Sequence, residues 1–400
     1  MWTVKFPDDK HFVYSIFGIQ YPTGQPSQEQ QDLATQFNAL ISGHPDHVDR
    51  LIQDGCASIS HGKTQIWLAY WNSVAQYETW WNQEEVSRFW KGLSTDSGMW
   101  REILKPSPRR TQYGTNQLSK TGMGHLGERV SLGENAGYWG CYRQRMADSA
   151  TDKFVTDPSA VCPHQASNRN SHRIHFTEFP ENLCFVVEGQ DHSALGTEER
   201  KYWFDNFDDS VNRWVSDLVN SESAAGILDA RLCYEPKSGT FRKSEPSALD
   251  YNKKVQLFFF KDLSHMERIG RLHKGHADLR RRFLESYGPG GAMENGNICL
   301  WVETSILKAD EIECENSRFH IPGFNMLSWI KSLFGYKALP NEDEPAHEDE
   351  NPEQGKTHKR SHSRRVRERE RELRRDYTGQ KGDWKKFITR GGAAGMPGGC

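Results

Sequence analysis

VQLFFFKDLSHMERIGRLHKGHA, residues 255–277, is the stretch on which the reading of this chain turns. Val255–Phe260 is an apolar run of strand length, and a helix start follows it. Ser264 with Glu267 three residues on has the S-x-x-E spacing of a capping box, which predicts Ser264 as the N-cap. Met266, Ile269, His273 and His276 then fall at i, i+3, i+7 and i+10, one face of a single helix. A face expected to be apolar thus carries two imidazoles, either as a core irregularity or as a metal-binding face.

Working outward, the chain repeats this arrangement. WLAYWNSVAQYETW (67–80) and FFFKDLSHMERIGRL (258–272) both read as strand, short turn, Ser cap, Gln or Glu at N3, and amphipathic helix. Two β-α-β-type units far apart in sequence predict an α+β fold built as tandem ferredoxin-like repeats, whose sheets pack face to face or close into a barrel. Further strands are expected at 12–21 (FVYSIFGIQY), Ala136–Tyr142, Leu183–Glu188 and Ile298–Ser305, with a polar loop around Asp157–Arg173. Helical spacing marks Gln28–Ser42 through Leu33, Phe37, Leu40 and Ile41. It also marks Glu198–Asn220 through Trp203, Phe207, Val211, Trp214 and Leu218, and a short apolar segment at Leu327–Phe334.

Composition bounds what the chain can bury. Four hundred residues, 36% hydrophobic, can bury a substantial core, and 12% aromatics with thirteen Trp suit either large apolar walls around a flat ligand or simply a well-filled interior. A net charge of −3 excludes a uniformly basic nucleic-acid binder. The opening MWTVKFPDDKHFVYS has charges where a signal peptide needs apolar residues, and no run reaches membrane-span length. Eight Cys without a C-x-x-C pair read as reduced thiols in a cytoplasmic protein. Residues 1–337 are expected to form one domain. Beyond it, NEDEPAHEDENPEQ (341–354) is acidic and KTHKRSHSRRVRERERELRRD (356–376) basic, so 338–400 is expected to be a disordered charged tail. A solvated tail is the commoner meaning of such runs, with an acidic partner, a nucleic acid or an anionic surface as alternatives.

A His on an apolar helix face is more often a satisfied buried imidazole than a ligand. Here His273 and His276 share the expected face, Gly275 allows close approach, and no Asp or Glu at i±3 or i±4 on that face completes a zinc or non-haem iron set. One strong imidazole in an aromatic setting suits an axial haem ligand better.

FGIQY (17–21), LAYW (68–71), GYWGCYRQR (137–145), GQD (189–191), EER (198–200) and LHKGH (272–276) stand in the order found in the haem-containing aldoxime dehydratases, and over about residues 10–330 the chain resembles that family. The resemblance implies a dimeric-α+β-barrel-like fold, haem b with its iron, and an aldoxime, R–CH=N–OH, dehydrated to a nitrile on ferrous iron through its nitrogen. It implies His276 as the iron ligand, His273 as its neighbour at the cofactor, and Arg145 as the distal cation; without it, Arg145 reads as a surface charge at a strand end. The family's distal Ser before Gly-Gln-Asp is Glu188 here, and its distal His stands at Val302 in Trp301-Val302-Glu303. Glu188 in a dry pocket would hold its proton and serve as the acid; otherwise it points outward, and His192 or His320 could take the role. A divergent haem enzyme acting on another N–O compound, and a non-catalytic haem sensor, are the rival readings. A homodimer is compatible with the family.

Overall fold

Val13–Tyr21 is buried at every position, as a strand must be when packed layers cover both of its faces. The computed structural model describes residues 1–21, 24–56, 59–94, 96–133, 142–156, 173–176, 179–221, 226–241 and 246–317. The chain divides into two units, Met1–Gly270 with Asn295–Tyr336, and Arg271–Glu294 with Lys337–Cys400.

The first unit runs β1 (Trp2–Lys5), β2 (Val13–Tyr21), α1 (Gln28–Ile41), β3 (His47–Cys56), β4 (Ile59–Trp71), α2 (Val74–Trp81), α3 (Glu84–Lys91), β5 (Met99–Leu104), β6 (Thr111–Thr115), β7 (Glu128–Ser131), α4 (Tyr142–Arg145), β8 (Arg173–Phe176) and β9 (Leu183–Asp191). It continues with α5 (Thr197–Asn206), α6 (Asp208–Val219), β10 (Ile227–Tyr234), β11 (Lys253–Phe260) and α7 (Leu263–Leu272). After α8 (Lys274–Tyr287), β12 (Cys299–Leu307) and β13 (Ile312–Ser317) complete the sheet. The described strands form one antiparallel sheet in the order β7-β1-β6-β12-β9-β11-β10-β3-β4-β2-β5-β13-β8.

Two blocks within it have the same plan. β2, α1, β3, β4, α2–α3 and β5 assemble as β3-β4-β2-β5; β9, α5–α6, β10, β11, the following helices and β12 assemble as β10-β11-β9-β12. They join where Cys233 and Tyr234 of β10 pair Gln53 and Ile52 of β3. Alternate side chains of both blocks meet in one shared core, where Tyr14 and Phe185 stand 5.2 Å apart edge to face and Phe185 lies 4.9 Å from Phe259. The opposite face is covered by α1–α3 in the first block. In the second block it is covered by α6 and the start of α7.

Local chemistry explains the helix ends. Ser27 and Ser73 cap α1 and α2 through the amides of Gln30 and Gln76, both at 3.2 Å. The expected cap at Ser264 is not used. Asp262 accepts from the His265 amide at 2.9 Å and α7 starts two residues earlier, because a carboxylate is the stronger acceptor at a helix N-terminus. Ser264 and Glu267 instead receive Arg143, at 3.0 and 2.9 Å.

The single helix expected across 264–276 also breaks. His273 is extended (φ −80°, ψ 102°) and its Nδ1 accepts the His276 amide at 3.1 Å, so it caps α8. Met266 and Ile269 therefore lie on α7 and His276 on α8, not on one face of one helix. The helix expected over 198–220 is likewise two, interrupted at Phe207. Tyr142 opens α4 rather than ending a strand, and Arg173 begins β8 rather than closing a loop. The expectations for 136–141, 157–172, 327–334, His320 and the charged tail lie outside the described residues.

Candidate active site

In each block a Trp of the last strand lies across a Gly of the first. Trp100 pairs Gly18, and Trp301 pairs Gly189. A Cβ on Gly18 or Gly189 would come within 2.2 or 2.0 Å of the facing indole, so only glycine fits either position. This shared feature aligns the blocks residue for residue: Phe17 corresponds to Glu188, Trp67 to Gln256, and Arg101 to Val302.

The corresponding rows differ in chemistry. In the first block Phe17 and Trp67 are fully buried and pack on Phe37 of α1 at 4.8 and 4.9 Å, so the helix-facing side is filled. The high aromatic content therefore serves a packed interior here. In the second block the row reads Gly114, Val302, Glu188, Gln256 across β6, β12, β9 and β11. Two large rings are replaced by two flexible polar side chains. Glu188 and Gln256 make no hydrogen bond among the described residues, and Gln256 Nε2 is buried without a partner. Burial pushes the Glu188 carboxyl up to about 7.

Arg145 joins the row from α4. A Cβ on Gly114 would lie 3.2 Å from its Nη1. That same nitrogen donates to Gln112 Oε1 at 3.0 Å, and Gln112 Nε2 donates to Thr304 Oγ1 at 3.1 Å. Arg145 is thus aimed by a carboxamide relay, not left as a surface strand-end charge. Strand spacing of roughly 5 Å sets Gly114 about 10 Å from Glu188, with Val302 between them. Of the two arginines in YRQR, Arg143 is taken up by Glu267 and Ser264 and holds α4 against α7.

The remaining candidates separate clearly. Val302 is buried with Val186, Phe258 and Ile306 and offers no polar group. His192 is enclosed by Trp203 and Phe241, both with ring centroids 5.1 Å away. Burial, with the Lys254 and Arg200 charges, holds it well below the usual imidazole range. His192 is thus packed between rings, with its Nε2 3.5 Å from Gln190 Oε1. In the second unit, described by itself, His276 sits in the first turn of α8. His273 Nδ1 is occupied by the cap, which requires that nitrogen unprotonated.

Residues 15–316 match the family described as haem-containing dehydratase. The chain belongs to that family. It is 23% identical over 336 residues to the phenylacetaldoxime dehydratase of Bacillus sp. (strain OxB-1), covering 81% of this chain and 92% of the relative. It is 25% identical over 349 residues to the aliphatic aldoxime dehydratase of Rhodococcus globerulus, covering 82% and 90%. A crystal structure of an aldoxime dehydratase in complex with butyraldoxime superposes with a TM-score of 0.66 at 19% identity, covering 82% of this chain and 88% of that one. The chain is accordingly a haem-containing lyase, and haem with its iron is its cofactor.

This haem-containing dehydratase has residues that fit such a group. A haem face needs an apolar wall with a few aimed polar groups. Arg145, Gln112, Thr304, Glu188 and Gln256 form a polar set on this face, beside an apolar row, Val186, Phe258, Val302 and Ile306, that packs under α6 and the start of α7. Gln256 Nε2 is a donor left open on this face. Gln112, Thr304 and Gln256 escape a reading of motifs because none of them belongs to a recurring pattern. The signal available was the second internal repeat, MWREIL (99–104) against LWVETS (300–305), which aligns the blocks.

Proposed function

We propose that this chain dehydrates an aldoxime to a nitrile, with His276 as the residue that would hold the haem iron and Arg145 and Glu188 as the residues that act on the substrate. The observation that carries the reading is the row that brings Arg145, over Gly114, within two strand spacings of Glu188. When bound, ferrous haem would supply electron density that weakens the oxime N–O bond.

The chain's own residues supply the proton chemistry. Glu188, protonated up to about pH 7, donates to the leaving hydroxyl, which departs as water with the N–O electron pair. Its carboxylate then accepts the carbon-bound proton while the C–H pair becomes the third carbon–nitrogen bond. Atoms balance as R–CH=N–OH to R–C≡N plus water, and Glu188 ends as it began. Arg145, aimed by Gln112, stabilises negative charge as the N–O bond opens.

The test is nitrile formation from phenylacetaldoxime or butyraldoxime by dithionite-reduced, haem-loaded protein, read by gas chromatography. His276→Ala should lose the Soret band. A haem-loaded protein that makes no nitrile from a broad aldoxime panel would sink the reading. The replaced distal pair, Glu188 and Val302, favours a second reading, a haem lyase for another N–O compound. The β3-β4-β2-β5 and β10-β11-β9-β12 orders support two ferredoxin-like repeats in a barrel-like arrangement over 1–337. Buried free thiols at Cys184, Cys233, Cys299 and Cys314 support a reducing, cytoplasmic setting. No helix among the described residues is long and apolar enough to cross a membrane. A homodimer and an acidic partner for the basic segment 356–376 belong to the same proposal, supported by family likeness and by charge.

A further inference from the structure

Gln256 is 1% exposed, yet its Nε2 has no partner. A buried amide left unsatisfied costs about 1–3 kcal/mol, so a fold retains one where something else completes it. Its position says what that is. Gln256 is the direct cross-strand partner of Glu188, which puts their β-carbons roughly 5 Å apart on one face of the sheet. In the other block the same pair is Phe17 and Trp67, closed by rings. A carboxamide beside a carboxyl offers donors and acceptors side by side. That set complements one small group which both donates and accepts, a hydroxyl.

We propose that Gln256 is a positioning residue that holds the substrate's N–OH hydroxyl against Glu188. This rests on the reading of the chain as an aldoxime dehydratase and deepens it. The hydroxyl oxygen accepts from Gln256 Nε2, and the Glu188 carboxyl faces the same oxygen, the atom it must protonate. Gln256 forms and breaks no bond itself. Its role is to fix the N–O axis, and it makes the site selective for free oximes, because an ether's methyl, standing where the hydroxyl hydrogen meets Glu188, would displace the oxygen from Gln256 Nε2.

A ketoxime tests this at equilibrium, since it keeps the N–OH group but lacks the carbon-bound hydrogen needed for dehydration. The probes are butanone oxime and butanone O-methyloxime, titrated into the reduced haem protein and followed by the shift of the haem bands. The wild type should bind the free oxime more tightly. Gln256→Met, close in volume and without hydrogen-bonding atoms, should shrink that preference by about 3- to 10-fold, mainly by weakening the oxime. Gln256→Leu is a second apolar variant should the first fold poorly. An undiminished preference in a folded, haem-loaded variant overturns the proposal. So does equal binding of both probes by a wild type that still makes nitrile, and in that case the functional reading survives. A wild type that makes no nitrile from any aldoxime removes the functional reading and this inference with it.

Discussion

Glu188→Gln swaps an ionisable carboxyl for a neutral amide of the same shape in the row that carries the chemistry. Burial lifts the Glu188 carboxyl from 4.5 to about 7. At 1.36 kcal/mol per pH unit this favours the protonated form by about 3 kcal/mol, an upper bound because the group is partly exposed. The sign follows from proton binding. The folded state holds this proton more tightly than the unfolded chain does, so the stabilisation is complete below 4.5 and is lost as pH rises through about 7. Urea unfolding from about pH 4 to about pH 8 should show wild-type stability falling more steeply than that of the variant. Glu303 also titrates high but is common to both proteins. Turnover should follow the same group: wild-type kcat/KM falls about tenfold per pH unit above the Glu188 pKa, whereas the variant is flat and roughly 10²- to 10⁴-fold lower. Parallel stability profiles together with unchanged turnover would refute both the burial argument and the role of Glu188.

Three further outcomes are expected. Arg145→Ala should leave haem content intact and lower kcat/KM by roughly 10²- to 10³-fold, the usual cost of removing one aimed charge-stabilising donor; wild-type turnover would return Arg145 to a structural role. His273→Ala removes the α8 cap and should cost about 1 kcal/mol in thermal or urea unfolding while the Soret band persists; loss of that band would move the iron ligand to His273. Burial pushes the Glu303 carboxyl up to about 8, beside Tyr70 and the Met123 amide in the shared core. It therefore carries its proton at neutral pH, and Glu303→Gln should be near neutral in stability there. Above about 8 the wild type loses the stabilisation of its proton and the variant does not, so unfolding midpoints should separate in the variant's favour.

Much of the architecture was legible because it is written in local periodicity. The largely apolar runs at 12–21 and 255–260 require strands covered on both faces, and Ser73 with Gln76 marks a helix start that the structure keeps. Capping at 262–265 was misread since Ser264 satisfies the motif, yet Asp262 two residues earlier is the stronger acceptor. The helix break at His273 was hidden because an imidazole seldom serves as a cap, and the i, i+3, i+7, i+10 spacing continues across the break regardless.

By itself the sequence determined the α+β character, the repeat of strand and capped helix, the family likeness, and the candidates Arg145, Glu188, His273 and His276. Tertiary structure decided which polar groups stand together. Register is a long-range property: Gly114, Val302, Glu188 and Gln256 come from four strands scattered over 189 residues of chain, and only their pairing makes them one row. Only the packing around each position separates Arg145, aimed by Gln112, from Arg143, spent on Glu267. The same packing makes Gln256 an unpaired amide where the matching position in the first block is a buried Trp67.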